Sequence, residues 1–339
     1  MSTFRHSGEI GDIIYILPLL RAIGGKNSIY LVDRVTVPPF SRPIVQHLKF
    51  ISKLLLKQPY ISKIEATEKD ADFNILDFRA FHEQSKTLTS ACVAYYNFKS
   101  RLKLSEDGSE PWLSVGKRNP SGRVVISRSS RYNNPKFKWG EIVEHYGKRI
   151  QFIGLPHEHN AFVKKYGNVK HEIVDDLFKM ATVINNSELF IGNQSAPLSV
   201  AMGLGVPIIE EVFIRQPDCI FKRKNVQYCY DGGCELPDVG GSGKLEIPPA
   251  DQEVDFNIHR EFTPGIGWQW PGLRPTPIFN EVLRSVMQLE SCTKEEADRK
   301  IVTHNFEVYP DFFTPVDSHM NDSVNLAIKN AFGASLQIQ

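Results

Sequence analysis

Cysteine is scarce in this sequence, with five among 339 residues. An odd and thinly spread set does not make a disulfide framework, so the thiols read as reduced, in a reducing compartment. Long apolar runs are missing as well. The stretch from Ile13 to Leu20 is interrupted by Tyr15 and Pro18 and follows Arg5, His6, Glu9 and Asp12. It falls short of the ~20 residues of a membrane span and lacks the layout of a secretory signal. The expected compartment is the cytoplasm, a host's cytoplasm for a phage-encoded chain. Low-complexity tracts and internal repeats of 20–50 residues are absent too, which excludes solenoids and collagen-like chains. Net charge is nearly absent at +1. Nothing in that total demands nucleic acid as a partner.

What is present is an ordinary globular composition, 41% hydrophobic and 23% charged, which excludes wholesale disorder. At roughly 150 residues per domain the length suggests about two domains. Charge is spread unevenly. Residues 1–118 hold 17 Lys/Arg against 12 Asp/Glu, residues 119–250 hold 16 against 14, and residues 251–339 hold 7 against 13. A mildly basic front is compatible with a small phosphate-bearing ligand.

Short apolar runs alternate with amphipathic stretches. Residues 28–33 (SIYLVD) and 72–78 (DFNILDF) read as strands, with helical spacing over 43–56. Residues 105–122 are polar, contain Gly and Pro, and read as a linker. The alternation restarts with strands at 123–127, 149–155, 188–192 and 206–209 and helices at 139–146, 174–185 and 195–204. Strand–helix alternation with nearly continuous apolar strands predicts parallel sheets covered on both faces. The expected fold is α/β, two Rossmann-like domains facing across a cleft. The expected divisions are an N-terminal domain over 1–118, a second domain over 119–290, and an extension over 291–339 packing back on the first. Residues 235–252 read as a long loop, and 277–289 and 323–331 as helices.

Three segments carry candidate chemistry. In Gly8-Glu9-Ile10-Gly11-Asp12, a glycine pair before a helix lets backbone N–H groups approach a ligand. Asp12 there either caps the helix or serves as a carboxylate base. In Ser127-Arg128-Ser129-Ser130-Arg131-Tyr132, two arginines follow a strand, where parallel sheets bind ligands. Guanidinium forks suit phosphate oxygens; a solvated basic loop, extended by Lys136 and Lys138, is the plainer reading. In Gly192-Asn193-Gln194-Ser195-Ala196-Pro197, a helix start after a strand either holds an anion or is an ordinary turn with Ser as cap and Pro in the first turn.

Taken in order, these segments resemble the family 9 glycosyltransferases, the heptosyltransferase-like group. GEIGDIIYILPLLRAI resembles that family's G-x-[IL]-G-D start followed by an apolar L-P segment. SRSSRYNNPKFKWGEIVEHYGKRIQFIGLPHEH resembles its strand, basic loop, Lys-Trp pair and strand–Gly segment. ELFIGNQSAPLSVAMGLGVPII resembles its G-N-D-[ST]-G segment before a helix. The likeness covers residues 5–24, 123–159 and 187–210. It implies a GT-B fold and inverting, metal-independent transfer from a nucleotide-diphosphate sugar, with no cofactor. It implies Asp12 as general base. Arg128 and Arg131 would be phosphate contacts, and Gln194, Ser195 and Ala196 the diphosphate-binding helix start. Gly8, Glu9, Gly11, Lys138, Gly154, Glu158 and Asn193 complete the implied donor site. Three positions depart from the pattern: Gln194 replaces an acidic residue, Ala196 a glycine and Ser199 a histidine. The donor's identity therefore stays open.

The expected acceptor is a hydroxyl of a glycan or small saccharide. Because some phage DNA-modifying glycosyltransferases also use a GT-B architecture, a hydroxymethylated pyrimidine in DNA is the alternative, which would require base flipping and a basic track. A nucleotide-binding protein without catalysis and a nucleotide-sugar epimerase are further alternatives. Other features read as structural. His157-Glu158-His159 fits a surface helix start. Cys219, Cys229 and Cys234 lack a C-x₂-C pair. Asp70-Ala71-Asp72 opens a strand in the wrong half for a metal-binding D-x-D. Gly240-Gly241-Ser242-Gly243-Lys244 is not a P-loop, with Asp238 and Leu245 in place of its Gly and Ser/Thr. Lys222-Arg223-Lys224 reads as a basic turn, and Trp268-Gln269-Trp270-Pro271-Gly272 as packing unless its rings stack on a sugar or base.

Overall fold

The computed structural model describes residues 2–6, 10–32, 44–75, 78, 87–213, 219–221, 223–230, 233–240, 245, 247, 261–263 and 267–269. The chain divides into two compact units, Met1–Arg34 with Arg42–Glu253, and Val35–Ser41 with Val254–Gln339. In the second unit the described part is an antiparallel pair, β11 (Glu261–Thr263) and β12 (Gly267–Gln269). The helices expected at 277–289 and 323–331, most of the tryptophan motif and residues 241–244 lie outside the described residues.

The first unit holds two parallel sheets, as the strand–helix alternation predicts. The first runs β1 (Thr3–His6), α1 (Ile10–Ile23), β2 (Asn27–Leu31), α2 (Ile44–Leu55), β3 (Ile61–Ala66), β4 (Phe73–Asn74) and α3 (Leu88–Ser100), with strand order β3-β2-β1-β4. The second runs β5 (Val124–Ser127), α4 (Trp139–Tyr146), β6 (Ile150–Phe152), α5 (Pro156–Tyr166), β7 (Lys170–His171), α6 (Leu177–Asn185), β8 (Leu189–Asn193), α7 (Ala196–Leu204), β9 (Ile208–Glu211) and β10 (Val226–Cys229). Its order is β10-β9-β8-β5-β6-β7, so the path reverses between β5 and β8.

That reversal sorts the helices. Right-handed crossovers place α4 and α5 on one face and α6 and α7 on the other. The strand residues alternate accordingly. Val124, Ile126, Leu189, Ile191 and Ile209 pack with Trp139, Ile142 and Phe162. Val125, Phe190, Ile208 and Val226 join a larger core with α6, α7 and the helices of the first sheet. Each fully buried Val, Leu, Ile or Phe is worth roughly 1.5–3 kcal/mol relative to exposure. α1 packs on α7 and α2 on α6, so the two helix layers bind the sheets into one unit. Residues Ile13–Leu20 of α1 are all buried, as expected of a helix that is apolar all round.

The segment expected as a linker is tied down. Backbone N–H groups of Trp112 and Leu113 both donate to the Gly203 carbonyl at 2.8 Å. A Cβ on Gly203 would run into the Leu113 side chain, so glycine is required there by close approach. Arg223 donates to the carbonyls of Gly108 and Met202 and lies over the Trp112 ring at 4.9 Å.

Element edges differ from expectation for identifiable reasons. α6 begins at Leu177 and not at residue 174, because the Asp176 carboxylate accepts from Lys179 N at 2.6 Å and caps it there. The strand expected over 72–78 shortens to Phe73–Asn74, while the Asp72 carboxylate accepts from the backbone and hydroxyl of Thr3 at 2.8 and 2.9 Å. Helix α3 was not legible. It opens with a reciprocal pair, Thr87 Oγ1 accepting from Ser90 N and Ser90 Oγ from Thr87 N, a capping box with Ser in the usual Glu/Gln place.

Candidate functional site

The strand order reverses between β5 and β8, and open parallel sheets bind ligands beyond the carboxyl ends of the strands at such a reversal. Three chain segments converge there: residues 128–134 after β5, 193–196 after β8, and the end of β9 with Phe213.

Two buried polar side chains hold these segments together. Asn193, fully buried, is one. Its carbonyl accepts from Ser129 N at 3.0 Å, and its amide donates to Ser129 Oγ, the Arg131 carbonyl and Asn133 Oδ1. The basic loop is thereby stapled across the end of β8. Glu211 is the other, with a side chain 0% exposed. Arg128 donates to it from Nε at 3.0 Å and Nη2 at 2.9 Å. Trp139 Nε1 and Asn134 N add bonds of 2.8 Å each. A buried carboxylate needs such a set of donors to offset its lost hydration. Arg128 also donates from Nη1 to Tyr166 Oη at 3.2 Å.

The two arginines of the loop therefore differ. The fork of Arg128 engages Glu211 and its side chain is 15% exposed. Arg131 is exposed, its guanidinium 5.4 Å from the Tyr132 ring centre. Tyr132 has φ +54°, a left-handed conformation rare for a bulky residue.

At the start of α7, Ser195 takes the cap position with extended backbone, and Pro197 lies in the first turn. The Ser195 hydroxyl does not cap. It donates to the Asn193 carbonyl at 3.1 Å. The first-turn amides thus have no side-chain cap, which leaves an anion-favouring helix end. Gln194 is buried, and its Oε1 accepts from Phe213 N at 3.0 Å.

The remaining expected residues are placed as follows. Gly8 and Glu9 lie outside the described residues. Gly11 is the second residue of α1, and a Cβ there would meet nothing within 4 Å. Asp12 is half-buried in the first turn of α1; α1 begins at Ile10, so Asp12 sits inside the helix and not before it. Lys138 is exposed and pairs with Glu141 at 3.0 Å. Gly154 follows β6 with φ +153°. Glu158 accepts from Leu155 N at 2.8 Å across the first turn of α5, which gives it a capping task. His157 and His159 belong to the same helix, and His159 Nε2 bonds the Val169 carbonyl. Among the described residues no group of three or more His, Cys, Asp or Glu is placed to hold a metal ion. No described helix is long and apolar enough to cross a membrane.

Glu211, Asn134 and Phe213 were not singled out from sequence. The available signal was Glu210-Glu211 ending the apolar run Val206–Ile209, since charges at the end of a buried strand must find partners.

No protein-family model matches the chain, and no curated protein does. Among solved structures it is similar to a family 9 glycosyltransferase from Veillonella parvula, with 13% identity over 61% of this chain and 79% of that one, TM-score 0.40. It is similar to the E. coli heptosyltransferase WaaC with ADP-2-deoxy-2-fluoro heptose, with 12% identity over 67% and 92%, TM-score 0.44. The iron-containing dodecameric glycosyltransferase TibC from enterotoxigenic E. coli aligns with 12% identity over 66% and 61%, TM-score 0.43. At these identities no residue role transfers from them.

Proposed function

We propose that the chain is a glycosyltransferase of GT-B architecture that uses a nucleotide-diphosphate sugar. One observation carries this reading. A basic loop is fixed by Asn193 and Glu211 over the switch point of a parallel sheet, beside the uncapped first turn of α7. Preorganised donors of this kind suit a diphosphate, whose charge grows as it leaves.

In the proposed reaction the acceptor hydroxyl oxygen attacks the anomeric carbon and the bond to the diphosphate oxygen breaks. The configuration inverts and the nucleoside diphosphate departs. Asp12 takes the hydroxyl proton, a task usually worth 10²–10⁴-fold. Arg131 and the amides after Ser195 stabilise the departing charge, with Lys138 on the same stretch. Arg128 acts one step removed, by holding the loop through Glu211. A hydroxyl of a glycan or small saccharide is the proposed acceptor, and no metal ion enters this scheme.

The test is calorimetric titration with UDP, ADP, GDP and CDP and their sugars, followed by measurement of diphosphate release with saccharide acceptors. Micromolar binding of one nucleotide, with release that Asp12→Asn abolishes while binding survives, is the expected result. Absence of binding across the panel would overturn the reading. Full turnover by Asp12→Asn would remove Asp12 from catalysis.

A further inference from the structure

Two consecutive side chains at the end of β8 each position an aromatic residue. The Asn193 amide holds the Arg131 carbonyl, which fixes the backbone entering Tyr132. The Gln194 carbonyl holds the N–H of Phe213, just past β9. The rings of Tyr132 and Phe213 meet at 5.7 Å between centres, tilted by 49°. Both residues are only half-buried, which is ordinary for Tyr132 but unusual for Phe213, a residue type most often buried in full. Tyr132 is also held left-handed, and bulky residues keep such conformations only where their surroundings impose them. The carbonyl just before it is held by Asn193, itself fully buried.

We propose that Tyr132 and Phe213 form the platform on which the donor's nucleobase stacks. This rests on the nucleotide-sugar reading above. The platform shares its loop with Arg131, whose guanidinium lies over the Tyr132 ring. It also shares its anchors with the start of α7, because Asn193 and Gln194 immediately precede Ser195. A ligand that meets rings and anion site together carries a flat heterocycle joined to a diphosphate. Every base has a π-face, so stacking supplies affinity with modest base preference. The arrangement also accounts for Gln194: its carbonyl accepts a backbone N–H that fixes Phe213, where the resembled family has an acidic residue.

The experiment compares wild type with Tyr132→Gly, Phe213→Ala and Tyr132→Trp. Each is titrated with the tightest-binding of UDP, ADP, GDP and CDP, with the matching nucleotide sugar, and with inorganic pyrophosphate. Tyr132→Gly and Phe213→Ala are expected to weaken the nucleoside diphosphate about tenfold or more and leave pyrophosphate unchanged, while Tyr132→Trp keeps affinity. Unchanged nucleoside diphosphate affinity in both small variants overturns the proposal and leaves the nucleotide-sugar reading standing. Equal weakening of pyrophosphate overturns it as well, since the loop rather than the base contact is then lost. So does a loss confined to the nucleotide sugar, which assigns the rings to the sugar. A wild type that binds no nucleoside diphosphate brings down both readings together.

Discussion

Replacing Arg128 with alanine separates a loop brace from a ligand contact. In the folded chain Arg128 supplies two of four hydrogen bonds to Glu211, whose side chain is fully buried. After truncation the carboxylate keeps the Trp139 indole and the Asn134 amide, both neutral donors. Breaking a buried pair by removing one partner costs about 3–5 kcal/mol, because the other charge stays desolvated. The packing of the guanidinium between the Trp139 and Tyr166 rings, at 5.9 and 5.7 Å, is lost as well. Against a typical total of about 5–15 kcal/mol, such a loss is easily read by urea unfolding followed through tryptophan fluorescence. Replacing both partners, as in Arg128→Met with Glu211→Leu, removes the unpaired charge but leaves the buried Trp139 indole and Asn134 amide without an acceptor, so it is expected to recover only part of the stability. A loss under about 1 kcal/mol in Arg128→Ala, the range of an exposed ion pair, would mean that Arg128 does not brace a desolvated Glu211. If that variant were as stable as wild type yet bound nucleotide weakly, the guanidinium would be a direct phosphate ligand.

Other perturbations test separate links. Asp176→Ala removes the cap of α6 and is expected to cost about 0.5–2 kcal/mol in chemical denaturation. Partial burial pushes the Asp176 carboxyl up, but the Lys179 N–H and the Lys53 ammonium outweigh it and hold it below the usual range. Its contribution is therefore present above the ordinary carboxylate pKa and lost as pH falls through the lowered value. The stability gap between wild type and Asp176→Asn should shrink on acidification, and a gap that widens would reverse the sign. Gly203→Ala drives a methyl into Leu113 beneath the 112–113 segment and is expected to cost about 1–3 kcal/mol, checked by thermal unfolding. Asn193→Ala frees the basic loop, and faster proteolysis between residues 128 and 134 is the expected readout.

Legibility in the sequence followed burial. α4 and α7 were read nearly to the residue because their apolar positions recur at helical spacing and short polar segments bound them. Of α5 only the start at residues 157–159 was legible and its extent was not, because only Phe162 of its eleven residues is buried and its pattern is that of a polar surface. Four strands of the second sheet, β5, β6, β8 and β9, were legible as continuous apolar runs, since both faces are covered; the outer strands β7 and β10 were not read. At the site, the positions of Arg128, Arg131 and Ser195 after their strands, and of Asn193 at the end of β8, followed from strand–loop spacing. Their division of labour did not. That Arg128 turns inward to Glu211 depends on β5 and β9 lying either side of β8, a pairing of residues 83 apart that no local pattern encodes.

The most direct measurement is backbone hydrogen exchange with and without a saturating nucleotide-diphosphate sugar. Slowed exchange concentrated in residues 128–134 and at Ala196 and Leu198 is the predicted result. Exchange unchanged in both segments, with protection appearing elsewhere in the chain, would contradict the assignment of the diphosphate to the end of β8.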